Sequence, residues 1–326
     1  MHGDLTQLRT GTLGWVRHNV GYLDSPSGSA ELPVVPRAKA LLQLARLCRG
    51  WARFSPGDPG LAEVTAVVHR VWRRPELPDA FASDSRYTRQ YRLMYCALAP
   101  TPTGPHREVL AGLAADGFLS RPWRSPYLRL EIAHLADLAG IAHGMGSYPE
   151  LYAASMLAGR TAALPITDDD ACVIAHTIFY LSDYGLRAPG LGRREVDRVR
   201  RIVVELTGHY VQRDDWDNAA KFVLAQFCLG LDPARTPSGL ACLRMLARIQ
   251  EEAGAIPAAA MRLMPGPEAT RTQRFRKAYQ ATLMTALMSL TVSSTCTSSS
   301  AAPLADLPVS NRRLNVPEPR KFMFRT

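Results

Sequence analysis

An all-α chain of repeated helical hairpins is the fold class this sequence predicts, and three observations point there. Apolar residues recur at three- and four-residue spacing in segment after segment from Pro36 onward, and no segment shows convincing strand alternation. Proline and glycine cluster between those segments, as in Ser55-Pro56-Gly57-Asp58-Pro59-Gly60, Thr101-Pro102-Thr103-Gly104-Pro105 and Asp232-Pro233. Landmarks recur about every 42 to 46 residues, near Leu47, Arg92, His134, His176 and Phe222, with a longer last interval to the helix holding Ala281-Thr282-Leu283-Met284. Paired helices with short connections at that period are stacked αα-hairpins, about six of them, none able to bury its apolar face alone.

Taken in order, residues 1–35 hold one amphipathic stretch, Leu5 to Val20, followed by the Ser/Pro/Gly-rich run 24–30, and read as a lead-in and linker. The periodicity then predicts helices over 37–54, 59–73, 85–98, 106–118, 126–143, 149–159, 168–185, 193–212, 215–230, 237–253 and 271–292, giving a hairpin domain over 36–292. Thr167 followed by Asp168, Asp169 and Asp170 is a strong helix start: a hydroxyl cap with acids against the positive end of the dipole. Asp214-Asp215 before the next such helix reads the same way. Residues 293–326 begin with a Ser/Thr run and continue Pro-, Arg- and Asn-rich, the composition of a disordered tail, with a cationic-aromatic end at Arg320-Lys321-Phe322-Met323-Phe324-Arg325.

Six hairpins can form an open solenoid or close into an α/α toroid around a central cavity. Segments 126–143 and 168–184 are apolar nearly all round, which says that both are buried and favours the closed form. Composition, 47% apolar and 21% charged over 326 residues, is that of an ordinary soluble chain able to bury a large core. No run approaches the length of a membrane span and no secretory leader is evident, so a cytoplasmic location and no membrane partner are expected. The six cysteines are widely separated, with no CxxC pair, and read as reduced core residues. The net charge of +10 is partly local to residues 310–326, where five cations face Glu318, and the rest is spread along the chain. Only four of the 39 basic residues are lysines, a compositional bias that argues against a nucleic-acid partner.

One helix carries a polar stripe. At 100° per residue, Asp169, Cys172, His176, Tyr180 and Asp183 fall within about 80° of one another, away from most of the apolar residues of the same segment. Segment 126–143 repeats the theme with Glu131, His134 and Asp137, and segment 215–230 with Asp215, Asn218 and Gln226. Buried polar atoms without partners cost roughly 1–3 kcal/mol each, so such stripes must bond to neighbours or face a wet cavity. On that ground His176, Asp169, Tyr180, Asp183, His134 and Glu131 are the expected catalytic set, with the imidazoles at 134 and 176 facing one hollow. Arg92, Cys172, Asp215, Asn218 and Gln226 are expected to contact substrate, Arg92 because it holds the landmark position among Arg86, Tyr87, Arg89, Tyr91 and Tyr95. Glu205 and His209 share a helix face at i, i+4 and form a weak candidate metal pair. GxGxxG, Walker A, GxSxG and HExxH are all absent, so nothing supports those nucleotide and hydrolase chemistries.

The repeated hairpins over about 37–292, with acids at the mouth of an inner helix, resemble the α/α-toroid superfamily that includes class II terpene cyclases and protein prenyltransferase β subunits. Class II cyclases carry DxDD, whose central acid protonates an alkene; Thr167-Asp168-Asp169-Asp170 has the last two acids and Thr in place of the first. The prenyltransferase zinc site uses Asp-x-Cys and a downstream His; Asp170-Ala171-Cys172 matches the first part, and no His follows His209. The Cys-His-Gly motif of the toroidal lanthionine cyclases is absent. The resemblance therefore implies an architecture and, without a complete ligand set for zinc, no cofactor. The functional expectation is a cyclase, isomerase or lyase of specialised metabolism acting on a small, partly apolar substrate by His/Asp/Tyr acid–base chemistry. The alternative is a helical-repeat module that binds a peptide or protein partner. Oligomeric state is left open.

Overall fold

The computed structural model describes residues 2–25, 28, 31–32, 34–74, 77, 88–99, 102–121, 123–250, 254–257 and 270–298. Thirteen α-helices and one 3-10 turn, Pro233–Arg235, occupy them, and no strand is found among the described residues. The helices are α1 His2–Asp24, α2 Val34–Phe54, α3 Pro59–Trp72, α4 Thr88–Ala97, α5 Gly104–Ala115, α6 Pro126–Leu138 and α7 Tyr148–Ala153. They continue with α8 Met156–Gly159, α9 Asp168–Ser182, α10 Arg193–Gln212, α11 Trp216–Cys228, α12 Pro237–Ile249 and α13 Arg271–Ser298.

Their starts follow the expected capping chemistry. Asp58, Ser125, Thr167, Asp215 and Thr236 each accept a backbone N–H from the first turn of the helix they precede, and proline opens α3, α6 and α12. Helix α6 stops at Leu138, short of the expected 143, because Gly140 adopts φ 68° and turns the chain. The single helix expected over 149–159 is two, broken where the buried Ser155 hydroxyl bonds back to the Tyr152 carbonyl at 2.7 Å.

Six helices, α2, α4, α6, α9, α11 and α13, line one half-open cavity, and all six sequence landmarks lie on them. Along this set α4 packs on α6, α6 on α9, α9 on α11, α11 on α13 and α13 on α2. Lys39 of α2 places its ammonium 5.9 Å from the centre of the Tyr91 ring of α4. Each cavity helix is preceded in the chain by a helix, or the α7–α8 pair, that does not line the cavity. Among these, α1 packs on α3 and on α12, and α10 on α12.

Two boundaries differ from the sequence expectation. Helix α1 is not a lead-in: Leu5, Leu8, Leu13, Val16 and Val20 are buried in the common core, and Gln7 donates to the Ala247 carbonyl of α12 at 2.8 Å. An amphipathic helix 23 residues long buries enough apolar surface to belong to the body. Helix α13 runs through the Ser/Thr-rich segment to Ser298, where the Thr291 and Ser294 hydroxyls bond back to the Leu287 and Thr291 carbonyls and so remain satisfied inside a helix. The rest of the expected tail, including Arg320 to Arg325, lies outside the described residues, as do Arg86 and Tyr87. No helix is long and apolar enough to cross a membrane among the described residues.

Candidate functional site

The central cavity holds about 550 Å³, the size of a small-molecule site. Grooves of similar volume lie beside Trp51 and between α4 and α5. The central one is distinguished by the titratable groups that converge on it from five different helices.

Helix α9 supplies Asp169, Cys172, His176 and Tyr180, with Tyr184 just past its end. These positions share a helix face, so the period that buries Ile174, Ile178 and Leu181 on other sides turns this polar line inward. Helix α6 adds Tyr127 and Glu131, one turn apart, and α2 adds Lys39, Gln43 and Arg46. Gln90 comes from α4, Asp217 and Lys221 from α11, and α13 lines its side mainly with Leu283, Met284 and Leu287.

Glu131, 3% exposed, anchors the floor. Its Oε1 accepts the Tyr180 hydroxyl at 2.7 Å and its Oε2 accepts the Gln90 amide. Burial pushes its carboxyl above the usual range, against the opposing pull of Tyr180, Arg46 and Gln90. Arg46 donates to the Tyr184 hydroxyl and lies over that ring at 4.7 Å. Burial lowers its pKa, but Tyr184, Tyr180 and Glu131 more than compensate, so the guanidinium stays charged. At the α11 side the Lys221 ammonium, 6% exposed, donates to Asp217 Oδ2 at 2.6 Å and to Asn218 Oδ1 at 3.3 Å. Burial works against its charge and Asp217 restores it, for a net upward shift.

His176 is held in one tautomer. Its Nδ1 lies 2.8 Å from the Cys172 carbonyl, which only accepts, so Nδ1 carries the proton and Nε2 keeps a lone pair. Burial and the cations Lys221 and Arg46 lower its pKa to about 3, so the ring is neutral at physiological pH. The Cys172 thiol sits 3.3 Å from the same Nδ1. Because that nitrogen is already protonated and burial raises the thiol pKa, the pair does not generate a thiolate.

Several polar atoms on this wall have no partner: Gln43 Oε1, Arg46 Nη2 and Asp217 Oδ1 are buried and unbonded, and no hydrogen bond reaches His176 Nε2. Each buried orphan costs roughly 1–3 kcal/mol, a cost that a polar ligand in the cavity would relieve.

Of the expected catalytic residues, His176, Asp169, Tyr180 and Glu131 line the cavity, as does Cys172. The other expected contacts are elsewhere. His134 is not on the wall: it is 2% exposed, packed 5.1 Å from the Tyr180 ring, with Nε2 3.8 Å from Asp183, so the two imidazoles do not share a hollow. Asp183 terminates α9 in the left-handed conformation (φ 47°) and is clamped by both guanidinium nitrogens of Arg49 at 2.8 and 2.7 Å, which turns it away from His176. Asp215 caps α11 and accepts the Asn218 amide at 2.7 Å, so both are used in the helix start. Gln226 bridges the Thr207 and Thr236 hydroxyls at 2.7 and 2.6 Å inside the core. Arg92 faces the groove between α4 and α5. Asp168 is held by Tyr210 and Arg213 outside the cavity. Around Glu205 and His209, as elsewhere among the described residues, no group of three metal-ligating side chains assembles.

Sequence reasoning missed Arg46, Lys221, Gln43 and Gln90. Arg46 and Gln43 sit one turn apart on a helix whose other residues read as a plain amphipathic face, and nothing in their spacing separates them from surface residues. Lys221 carried a signal, since it is one of four lysines in an arginine-biased chain and lies in an apolar helix.

No curated protein and no solved structure matches the chain. A family model described as a domain of unknown function, DUF6895, matches residues 9–290, from within α1 to near the end of α13, and the chain therefore belongs to that family.

Proposed function

We propose that the chain is an enzyme whose six hairpins close into an α/α toroid, and that its central cavity performs proton transfer on a small, partly apolar substrate, as a cyclase, isomerase or lyase does. The reading rests on the Tyr180–Glu131 pair, a phenol hydrogen-bonded at 2.7 Å to a buried carboxylate of raised pKa on a cavity wall. In this geometry a substrate proton passes to the Tyr180 oxygen while the tyrosine's own proton moves to Glu131 Oε1, so the substrate loses its bond to hydrogen, the Tyr180 oxygen exchanges one O–H bond for another, and the carboxylate gains one. A raised carboxyl pKa makes Glu131 the better base. Arg46 stabilises negative charge developing on the substrate, and neutral His176 accepts a hydrogen bond through Nε2 and orients the substrate instead of storing a proton. Asp169, exposed at the mouth, and Cys172 contact the substrate. No cofactor enters this scheme.

The test is untargeted metabolite profiling of a host producing the wild type, Tyr180→Phe or Glu131→Gln. A product present with the wild type and lost with both folded variants supports the proposal; unchanged profiles from folded variants defeat it. The second reading, an interaction module, draws support from Trp123, 75% exposed and flanked by the Arg121 and Arg124 guanidiniums at 5.8 and 5.9 Å. An exposed aromatic between two arginines is the composition of an interface anchor. Loss of a co-purifying partner on Trp123→Ala, with metabolites unaffected by the cavity variants, would favour it.

A further inference from the structure

The orphaned atoms on the cavity wall describe a ligand by complement. Arg46 Nη2 is a charged donor in want of an acceptor, whereas Gln43 Oε1, Asp217 Oδ1 and His176 Nε2 are acceptors in want of donors. Asp217 already neutralises Lys221 through its other oxygen, so its free oxygen suits a neutral O–H better than an ammonium ion. Gln43 and Arg46 share one face of α2, Asp217 projects from α11, and His176 comes from α9. Between them the wall is aromatic and aliphatic, with Tyr91, Tyr127, Tyr180, Tyr184, Met94 and Leu283.

We propose that the cavity takes a hydroxy acid with an apolar frame, its carboxylate on Arg46 and its hydroxyl on the acceptors Asp217 and His176. The proposal rests on the enzymatic reading of the same cavity and names its substrate class. The carboxylate places the atoms next to it beside the Tyr180–Glu131 pair, because Arg46 donates to the Tyr184 hydroxyl and interacts with both Tyr180 and Glu131. Gln43 Oε1, Arg46 Nη2 and Asp217 Oδ1 hold no hydrogen bond of their own, so a bound molecule that reaches them displaces no existing partner.

Cys172 provides a reporter that does not depend on turnover, because it lines the cavity and is partly exposed while Cys48, Cys96, Cys228 and Cys242 are buried. The experiment measures the rate of Cys172 alkylation by iodoacetamide under alkaline conditions that populate the thiolate, read by mass spectrometry, with para-hydroxyphenylalkanoates of graded chain length as probes. The matched controls are the corresponding alcohols, which lack the carboxylate, and the phenylalkanoates, which lack the hydroxyl. The expected result is protection by one chain length of the hydroxy acid, at concentrations on the order of 10- to 100-fold below those needed for either control. Arg46→Gln should abolish the advantage over the alcohol and Asp217→Asn the advantage over the phenylalkanoate, while Arg46→Lys retains part of the former. Should Arg46→Gln not fold, the Arg46→Lys and Asp217→Asn comparisons carry the test. Equal protection by acid and alcohol overturns the substrate class but leaves a ligand-binding cavity. No protection by any probe, or protection unchanged in the folded variants, defeats the substrate class; a cavity that also keeps the same metabolite profile in the Tyr180 and Glu131 variants loses the enzymatic reading as well.

Discussion

Tyr180 shows how one side chain can be structural and chemical at once. Its hydroxyl satisfies a carboxylate that is otherwise nearly dry, so Tyr180→Phe leaves Glu131 Oε1 without its donor. We expect a loss of about 1–3 kcal/mol in denaturant unfolding, together with a further upward shift of the Glu131 carboxyl. His176 has its own signature in acid. Its pKa is 6.5 when unfolded and about 3 when folded, so the unfolded chain binds the extra proton first. Its contribution is therefore intact above pH 6.5 and is lost progressively as pH falls toward 3. His134, also pushed well below 6.5 by burial and by nearby arginines, adds to the same slope. Melting temperature measured across that window should fall less steeply for His176→Gln than for the wild type; identical slopes would remove His176 as the cause.

At the scale of elements, α9 positions Asp169, Cys172, His176 and Tyr180 on the cavity wall, and its ends are held by different means. The Thr167 hydroxyl caps its start at 3.1 Å from the Asp170 N–H. Thr167→Ala should cost about 1 kcal/mol and Thr167→Ser little, as read by thermal or denaturant unfolding. Its end is tied by Asp183 to Arg49 of α2, so the helix that carries His176 is braced against the helix that carries Arg46. Asp183 therefore serves the site by placing two helices and not by touching an imidazole. Gln226 is the comparable tie between α10, α11 and the turn before α12. Gln226→Leu should destabilise by roughly 1–3 kcal/mol because it removes two hydrogen bonds that join the buried Thr207 hydroxyl and the half-buried Thr236 hydroxyl through one amide, while leaving Cys172 alkylation in the folded protein unchanged.

For the molecule as a whole, the first and last helices meet. Helix α1 packs along α13, with Trp15 and Phe275 stacked at 5.7 Å and Tyr22 edge-on to the same ring at 5.5 Å, and it also packs on α12. Since α13 is one of the walls of the cavity, removing residues 2–24 should do more than shorten the chain. We expect loss of the cooperative melting transition, or a collapse of Cys172 protection if the remainder still folds; a truncated chain that melts like the full one would show α1 to be dispensable. The repeat makes this coupling intelligible, because each hairpin buries its apolar face only against its neighbours and an end left uncovered exposes that face.

The helical class, the order of the elements, their capped starts and the six landmark helices were all legible in the residues, because periodicity and capping are local and act within a few turns. The polar stripe of α9 was legible for the same reason, as was the polar position of Glu131 on α6. What one chain of letters does not contain is which groups meet across the interior. Asp183 and His176 share a helix face on paper, yet a left-handed residue at the helix end and a guanidinium from α2 take Asp183 elsewhere. His134 and His176 occupy equivalent repeat positions, yet packing seals one among tyrosines and opens the other to the cavity. Arg46, Gln43 and Lys221 gain their meaning only from being enclosed: burial turns an ordinary surface residue into a charge or an orphan that something must satisfy, and burial is decided by all the helices together.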